Sequence, residues 1–381
     1  MSNIIESVRR LLTPVTPLSP GISHYQAPPD APVPYRLHLR LEPDGSGLLI
    51  VNASTILHLN QTAAEFAYHL IKQTTEDQMV YEISGRYRVS REQARQDFRL
   101  LNDRIQTLIH TPDLDPEMFL DFERTTPHSQ KISAPYRLDC ALTYRLAGGV
   151  DDSIVPIKRV ERELNTEEWC GIFDKAWSLG IPHIILTGGE PTLRDDLPEL
   201  IAHTESNGQV VGLLSDGLKL IDNTYLQTLL QTGLDHLMLS LKPEDDNSWK
   251  ALNNVISADL FVVVHHTITL QNMVNTSLTL ERISKLGAKA LSLTASDPSI
   301  HGSLIEFRNQ AASLGLSLVW DLPVPYSAFN PVTLETQLDN PPKGAGHAWL
   351  YIEPDGDVLP AQGINQVLGN ILRDPWDTLW R

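Results

Sequence analysis

The chain has 381 residues, of which 41% are hydrophobic and 20% are charged, and this length suffices for two or three domains with a core in each. Its formal net charge of −17 opposes binding to nucleic acid and to anionic lipid, because both need clustered Lys and Arg. The sequence has neither a long apolar run nor a secretory signal, and it therefore predicts a soluble cytoplasmic protein without a membrane partner.

Residues 1–33 are rich in proline, which removes backbone donors, and they are predicted to form a tail. Residues 34–110 are predicted to form a winged-helix-like α+β domain. Apolar and polar residues alternate on both sides of Asp44-Gly45, which indicates a hairpin, and "STILHLN" predicts a third short strand. Three helices follow, and two of them are preceded by capping-box spacings, Thr75 with Gln78 and Ser90 with Gln93.

The third strand of this domain is a candidate peptide-binding edge. A module of this kind often binds DNA, but the acidic composition disfavours DNA here. A peptide can instead extend the sheet by β-augmentation. The predicted peptide-binding residues are Ile56, Leu57, His58 and Leu59.

Residues 111–135 read as a linker, and residues 136–322 alternate strand with helix. The apolar strands predict a parallel sheet covered by helices, either a partial TIM-like (β/α)6 barrel, which we favour, or a doubly wound fold. The predicted strands are "RLDCALTY", "IPHIILT", "QVVGLLS", "LDHLMLSL", "DLFVVVHHTIT", "AKALSLT" and "LSLVWDL". Residues 323–381 form a short extension with a β-hairpin around the turn at 354–357.

Polar residues follow the strands and predict a small-molecule site at their carboxyl ends. In "TGGEPTLR", Gly188 and Gly189 allow a ligand to approach the backbone, and Glu190 accepts hydrogen bonds from an amino group. Ser215 and Asp216 end the next strand and suit hydroxyl groups such as those of a ribose. The alternative is that the Gly-Gly-Glu-Pro segment is only a tight turn.

Three further features leave alternatives open. His265 and His266 are adjacent on one strand, so only one of them can face the interior, where a hydrogen-bonded core histidine is the commoner outcome. Glu190 and Asp216 would make an acid/base pair if they converge, although a capping or hydrogen-bonding role is the commoner outcome. Asp151, Asp152 and Ser153 offer oxygens to a cation such as Mg²⁺, although such a run is usually a solvated loop.

The motifs "LDCALTYR", "GIPHIILTGGEPTLRDDLPELI", "GQVVGLLSDGLKL" and "GLDHLMLSL" resemble the radical S-adenosylmethionine (SAM) family, in its peptide-maturase branch with a SPASM extension. In that family, three cysteines after the first strand hold a [4Fe-4S] cluster, and they fall here on Leu146, Val150 and Ser153. The SPASM extension of that family also has cysteines that bind auxiliary clusters, and two of their positions are occupied here by Gly344 and Ala361. The chain contains only Cys140 and Cys170, too few for a four-thiolate cluster.

The amino-terminal domain resembles the RiPP recognition element, a small domain that binds the leader peptides of ribosomally synthesised, modified peptides (RiPPs). This element is PqqD-like, meaning that it is similar to the chaperone of the pyrroloquinoline quinone pathway. The resemblance implies a pseudoenzyme without iron-sulfur clusters, with no catalytic residue assigned and with at most weak binding of SAM or another adenosyl ligand. Its partner would be a peptide or an intact radical SAM paralogue.

Two other hypotheses remain. The first is an enzyme that uses the barrel pocket for cluster-independent chemistry, such as SAM-dependent polar chemistry. The second is a structural subunit without a ligand. Lys242 stands where the family commonly has Asp, so it is expected either to disfavour the sulfonium of SAM or to pair with Glu190.

Overall fold

A computed structural model describes residues 15–28, 30–52, 55–111, 132–149, 151–320, 322–334 and 342–380. The chain divides into two compact units, Met1–Ser133 and Ala134–Arg381, each with its own apolar core. Within the described ranges, no helix is both long and apolar enough to cross a bilayer.

The first unit has four antiparallel strands, in the spatial order β1-β2-β3-β4, followed by three helices. Its elements are β1 (Gly21–Gln26), β2 (Arg36–Leu41), β3 (Gly47–Val51), β4 (Thr55–Leu59), α1 (Gln61–Ile71), α2 (Glu76–Tyr87) and α3 (Arg91–His110). The strand β1 lies inside the stretch that was predicted to be a tail, and it pairs with β2 from Gly21↔Leu41 to Gln26↔Arg36. The prolines at 20 and 28 flank this strand without interrupting it, which is why proline content alone misidentified the segment.

Local signals account for most of this unit. Gly45 adopts a φ of 88° in the turn between β2 and β3, a conformation that favours glycine. The side chain of Ser90 accepts a hydrogen bond from the Gln93 amide and caps α3, as its spacing predicts. Thr75 makes no such bond at the start of α2, so the second predicted cap does not form.

The second unit is a mixed α/β structure built on a ten-stranded sheet, counted within the described residues. The spatial order is β11-β10-β9-β8-β7-β6-β5-β12-β13-β14, and all neighbours from β11 to β12 run parallel. The strands are β5 (Arg137–Thr143), β6 (His183–Gly188), β7 (Val210–Ser215), β8 (His236–Ser240), β9 (Phe261–Ile268), β10 (Ala290–Ala295), β11 (Ser317–Leu318), β12 (Trp349–Ile352), β13 (Asp357–Leu359) and β14 (Gly369–Asn370).

Helices connect the parallel strands, as the alternating pattern predicts. They are α4 (Thr166–Ser178), α5 (Leu197–Ser206), α6 (Asn223–Gln231), α7 (Asp246–Ile256), α8 (Thr276–Lys285) and α9 (His301–Ser313), and α10 (Trp376–Leu379) follows the last strand. The strand predicted over 316–322 is shorter in the structure, where β11 has only two residues, and Asp321 lies outside the described residues.

The carboxyl-terminal hairpin, β12 and β13, does not stand apart as an extension. Its first strand pairs in parallel with β5, from Trp349↔Arg137 to Ile352↔Cys140, and so continues the main sheet. Leu350 and Ile352 are fully buried in the same core as the helices. The hairpin itself was correctly predicted, whereas its place beside β5 was not.

The two faces of the sheet have different surroundings. Leu138, Cys140 and Leu142 belong to the large core that includes the helix residues Trp169 and Phe173. A smaller apolar cluster from the alternate strand positions lies on the other face and contains Ile185, Leu214, Met238, Val263 and Ala290. Since side chains alternate along a strand, Cys140 is directed into the helix-side core.

Candidate functional site

The turn after β6 brings Glu190 against the end of β5. Gly188 has a φ of 124°, and a Cβ atom there would lie 2.2 Å from the Thr143 carbonyl oxygen. A Cβ atom on Gly189 would lie 2.4 Å from the Arg145 carbonyl oxygen. The two glycines are therefore needed for the backbones to pass closely, and the amide of Glu190 donates to the Arg145 carbonyl at 2.8 Å.

The carboxylate of Glu190 is buried and accepts four hydrogen bonds. Its Oε1 accepts from the amide and the hydroxyl of Thr192, at 3.0 and 2.6 Å, and from the Ser215 hydroxyl at 2.8 Å. Its Oε2 accepts from the Asp216 amide at 2.8 Å. This network joins the ends of β6 and β7. Glu190 accepts from the backbone amide of Asp216, which is the capping and hydrogen-bonding role expected as the alternative to a pair of carboxylates.

Glu190 is also electrostatically unusual. Burial, with the nearby charge of Asp216, raises the pKa of the Glu190 carboxyl to about 7. A group with this pKa exchanges a proton readily near neutral pH, which is the property that a general acid or base requires.

A cavity of about 280 Å³ lies at these strand ends. Its polar lining includes Asp151, Glu190, Asp216, Ser240, Lys242 and His265. Of the predicted site residues, Gly189, Glu190 and Asp216 line this cavity, which we call the strand-end pocket. Gly188 and Ser215 do not line it but hold Glu190 in place.

The sequence did not predict every wall of the strand-end pocket. Ser240 ends β8, and its buried hydroxyl has no hydrogen-bond partner among the described residues. Strand alternation from Met238, which lies on the face opposite the helices, would have indicated that Ser240 faces the same way. Residues 324–329 form another wall and carry no recognisable motif. The Tyr326 amide holds that segment against the Gly188 carbonyl at 3.0 Å.

His265 lines the pocket as a neutral, hydrogen-bonded histidine. Its Nδ1 lies 3.1 Å from the Ser292 hydroxyl and its Nε2 lies 3.1 Å from the Thr267 hydroxyl. Burial, with a smaller contribution from His266, lowers the pKa of His265 to about 3. His266 is also buried, and neither of its ring nitrogens has a partner among the described residues.

Lys242 lines the pocket but makes no ion pair with Glu190, so that expectation is wrong. Within the described part of the chain, no carboxylate pairs with the Lys242 ammonium group. Its backbone amide donates to the Ser248 hydroxyl at 3.0 Å. The pocket thus presents the Lys242 ammonium group, unpaired among the described residues, together with the carboxyl groups of Asp151, Glu190 and Asp216.

The loop after β5 gives the strand-end pocket an apolar and glycine-rich wall through Leu146, Gly148 and Gly149. Ser153 instead donates its hydroxyl to Asp151 at 2.6 Å, in a turn that closes on itself. Val150 lies outside the described residues.

The residues present do not fit a [4Fe-4S] cluster, which needs cysteine thiolates. Leu146 and Ser153 have none, Cys140 lies in the helix-side core, and Cys170 lies on α4. At the loop itself, Asp152 pairs with Lys158 and Asp151 accepts a hydrogen bond from the Ser153 hydroxyl. No group of three metal-ligating side chains occurs among the residues that the structure describes.

The two carboxyl-terminal places of the resemblance also lack thiolates. Gly344 has a φ of 100°, which a cysteine would adopt only with strain. Ala361 is buried and lines a second cavity, of about 260 Å³, together with Asp139 and Trp349. Asp139 is held there by two hydrogen bonds from Arg137, at 2.6 and 3.0 Å.

The predicted peptide-binding residues lie on β4, at one edge of the first unit's sheet as the described residues define it. Leu57 and Leu59 are buried in the core, whereas Ile56 is half-buried and His58 is exposed. The opposite edge is formed by β1. One side of β4 pairs with β3, and no described strand pairs with its other side.

No family model matches the chain. The sequence is 31% identical over 173 residues to a protein described as a PqqA peptide cyclase from Granulibacter bethesdensis, and this covers 41% of the chain and 46% of that protein. A PqqA peptide cyclase of Rhizobium meliloti is 36% identical over 121 residues, which are 31% of each protein. The chain therefore spans less than half the length of these curated relatives.

Solved structures of SuiB from Streptococcus suis are similar in fold. SuiB matches with a TM-score of 0.56 at 15% identity, over 91% of this chain and 87% of SuiB. SuiB bound to its precursor peptide SuiA matches with a TM-score of 0.56 at 14% identity, over 96% of this chain and 88% of that chain. At these identities the likeness shows the fold alone, a mixed α/β structure with a large parallel sheet.

Proposed function

We propose that this protein is a cluster-free relative of the radical SAM peptide maturases, a pseudoenzyme that binds a peptide in a RiPP-modification pathway. The proposal rests on one contrast at the strand ends. The Glu190 network is intact, with four hydrogen bonds to the carboxylate, while the adjoining loop has Leu146 and Ser153 where the family has cysteines.

The comparisons support the peptide-related part of this proposal. Two curated relatives are named as peptide cyclases, and SuiB, which shares the fold, has been solved with a precursor peptide. In this proposal the second unit is a partial (β/α)6 barrel with a degenerate SPASM-like end, and the first unit is a winged-helix-like, PqqD-like recognition element. An intact radical SAM paralogue would be the catalytic partner.

Peptide binding is proposed at the edge of β4 with which no described strand pairs. An extended peptide would pair with the outer backbone groups of β4, and alternate side chains would contact Ile56 and His58. Backbone pairing gives affinity with little regard to sequence, so the side-chain contacts would supply the selectivity.

Substitution at the two sheet edges tests this role. The probe is a fluorescein-labelled precursor peptide encoded beside the gene, and binding to the full chain is followed by fluorescence anisotropy. Ile56→Pro should weaken binding at least about tenfold because it disturbs the β4 edge. Ile22→Pro, on the opposite edge strand β1, is the matched control and should leave the affinity unchanged.

Equal affinities for the wild type and the Ile56→Pro variant, with both proteins folded by circular dichroism, would contradict the β4 role. The structural-subunit hypothesis would then be preferred.

Weak adenosyl binding belongs to the same proposal. The Glu190 oxygens already accept four hydrogen bonds, so SAM should bind with a dissociation constant in the high-micromolar range, about −5 kcal/mol.

The alternative function is cluster-independent chemistry in the strand-end pocket. One observation favours it, namely the raised pKa of Glu190, about 7, at a cavity that also contains Lys242 and His265. Tight SAM binding that Glu190→Gln abolishes would support this enzyme hypothesis over the pseudoenzyme.

A further inference from the structure

A third cavity, of about 460 Å³, lies beyond the carboxyl ends of β8 and β9. Phe329 lines both this cavity and the strand-end pocket, so the two adjoin. Its lining also includes Glu244, Trp249, Leu278 and Arg282. We call this space the Arg282 cavity.

Arg282 is held in position without being neutralised. Its guanidinium carbon lies 3.8 Å from the centre of the Trp249 ring, which is a close cation–π contact. The Trp249 ring is fixed in turn, because it is 5% exposed and its Nε1 donates to the Pro243 carbonyl at 2.9 Å. No ion pair or side-chain hydrogen bond of Arg282 occurs within the described ranges. Arg282 is an exposed residue, so its planar set of donors rests against the Trp249 ring and stays available to a ligand.

Other arginines of this acidic chain, whose net charge is −17, do have carboxylate partners. Arg86 and Arg194, for example, have carboxylate partners at 2.7 and 2.6 Å. A guanidinium group fits a carboxylate with two parallel hydrogen bonds, so an acidic group is the natural complement of Arg282.

Exposed apolar residues lie beside the cavity. Leu270, Val274 and Leu278 follow one another at intervals of four residues around the start of α8, and they are 60%, 78% and 65% exposed. Leu278 is itself part of the cavity wall. Apolar side chains concentrated beside a cavity are typical of an interaction surface.

The carboxylate of Glu244 favours a peptide over a free anion as the ligand of this cavity. It lines the same cavity but lies too far from Arg282 for an ion pair. A free anion such as phosphate would be repelled by this carboxylate, whereas a peptide can direct backbone amides to Glu244 and an acidic side chain to Arg282. Apolar neighbours in the peptide would then cover Leu278 and Phe329.

We propose that the Arg282 cavity binds an acidic residue of a peptide, flanked by apolar residues, while adjoining residues of the same peptide reach the strand-end pocket past Phe329. This inference rests on the proposed peptide-binding function. It adds a second peptide-binding site, on the second unit, that prefers an acidic side chain.

The test compares two amide-capped, fluorescein-labelled hexapeptides, Leu-Leu-Glu-Leu-Phe-Gly and its glutamine counterpart, by anisotropy with the full chain. The wild type should bind the glutamate peptide about tenfold more tightly. Arg282→Gln should remove this preference. Arg308→Gln is the matched control, because Arg308 also lies over a tryptophan, Trp320, at 4.3 Å, and this variant should retain the preference. Melting temperatures within about 2 °C of the wild type show that both variants fold.

The hexapeptides contain no leader segment, so Ile56→Pro should not affect them, and the two proposals can fail separately. The inference is overturned by equal affinities for the two hexapeptides, by a preference that survives Arg282→Gln, or by no binding up to about 1 mM. Displacement of the glutamate peptide by inorganic phosphate at low concentration would also overturn it, in favour of a simple anion site.

Discussion

The Ser215 hydroxyl donates a 2.8 Å hydrogen bond to Oε1 of Glu190 and accepts one of 2.9 Å from the Gly217 amide, so one side chain ties together two loops at the strand ends. Ser215→Ala removes both bonds from a fully buried position. We expect the free energy of unfolding to fall by about 1–3 kcal/mol, because two buried groups lose a partner.

Urea denaturation measures this change. Ser206→Ala is the control, since the Ser206 hydroxyl bonds only the His203 carbonyl on the exposed side of α5, and its effect should stay within about 0.5 kcal/mol. Equal losses in the two variants would show that Ser215 has no special role in holding Glu190.

The raised pKa of Glu190 predicts that stability falls as the pH rises from about 4.3 to 7. The folded-state pKa, about 7, exceeds the value of about 4.3 for an unfolded glutamate. The folded chain therefore binds more protons between these values, so this contribution is fully present below about pH 4.3 and is lost as the pH rises through 7. Between pH 5 and 7.5, the wild type should lose stability relative to Glu190→Gln, and above this window the difference between the two proteins should stay constant. Parallel curves for the two proteins would contradict the assignment.

Three buried histidines predict the opposite slope in acid. Burial lowers the pKa of His236, His265 and His266 to about 4, 3 and 4, below the value of about 6.5 in an unfolded chain. The unfolded chain then binds more protons between about pH 4 and 6.5, so stability falls as the pH drops through this window. Melting temperatures across the window measure the slope, which should be smaller in His266→Leu. An unchanged slope in that variant would mean that His266 does not titrate there.

His266→Leu should also stabilise the protein at pH 8, where the histidine is neutral in both states. Both ring nitrogens are buried without a partner among the described residues, and such groups lose their hydration on folding without compensation. We expect a gain of about 1 kcal/mol in the free energy of unfolding. His265→Leu is the contrasting variant, because it breaks the bonds to Ser292 and Thr267 and should destabilise. If both substitutions destabilise the protein, the His266 ring has a hydrogen-bond partner after all, and the expected gain is contradicted.

Reconstitution with iron and sulfide under anaerobic conditions should leave the wild type without stoichiometric acid-labile sulfide. The reason is the lack of thiolates at Leu146, Val150 and Ser153. A variant with cysteine at all three positions is the informative comparison, and it should acquire broad visible absorbance and about four irons per chain. Stoichiometric iron and sulfide in the wild type would contradict the cluster-free proposal.

The sequence indicated that Glu190, Ser215 and Asp216 lie at neighbouring strand ends because the determinants of this position are local, whereas the hydrogen bonds among them were expected only as an alternative to ligand contacts. Two glycines, a glutamate and a proline follow an apolar strand, and Ser215 and Asp216 end the next one, so parallel pairing alone brings them together. Ser240 and residues 324–329 were not predicted as pocket walls, since their position depends on contacts between distant parts of the chain. The pairing of β12 with β5 was missed for the same reason, and β1 was missed because its flanking prolines outweighed a short alternating pattern.

The parallel pairing of β12 with β5 also affects the order of events during synthesis. β5 emerges from the ribosome long before Trp349–Ile352, so the nascent chain carries a finished strand whose partner has not yet been translated. During that interval the outer edge of β5 is open to other chains, and misassembly is favoured over correct pairing when translation stalls. Synonymous codon changes that slow translation between 334 and 352 should therefore lower the yield of folded protein without changing a single residue.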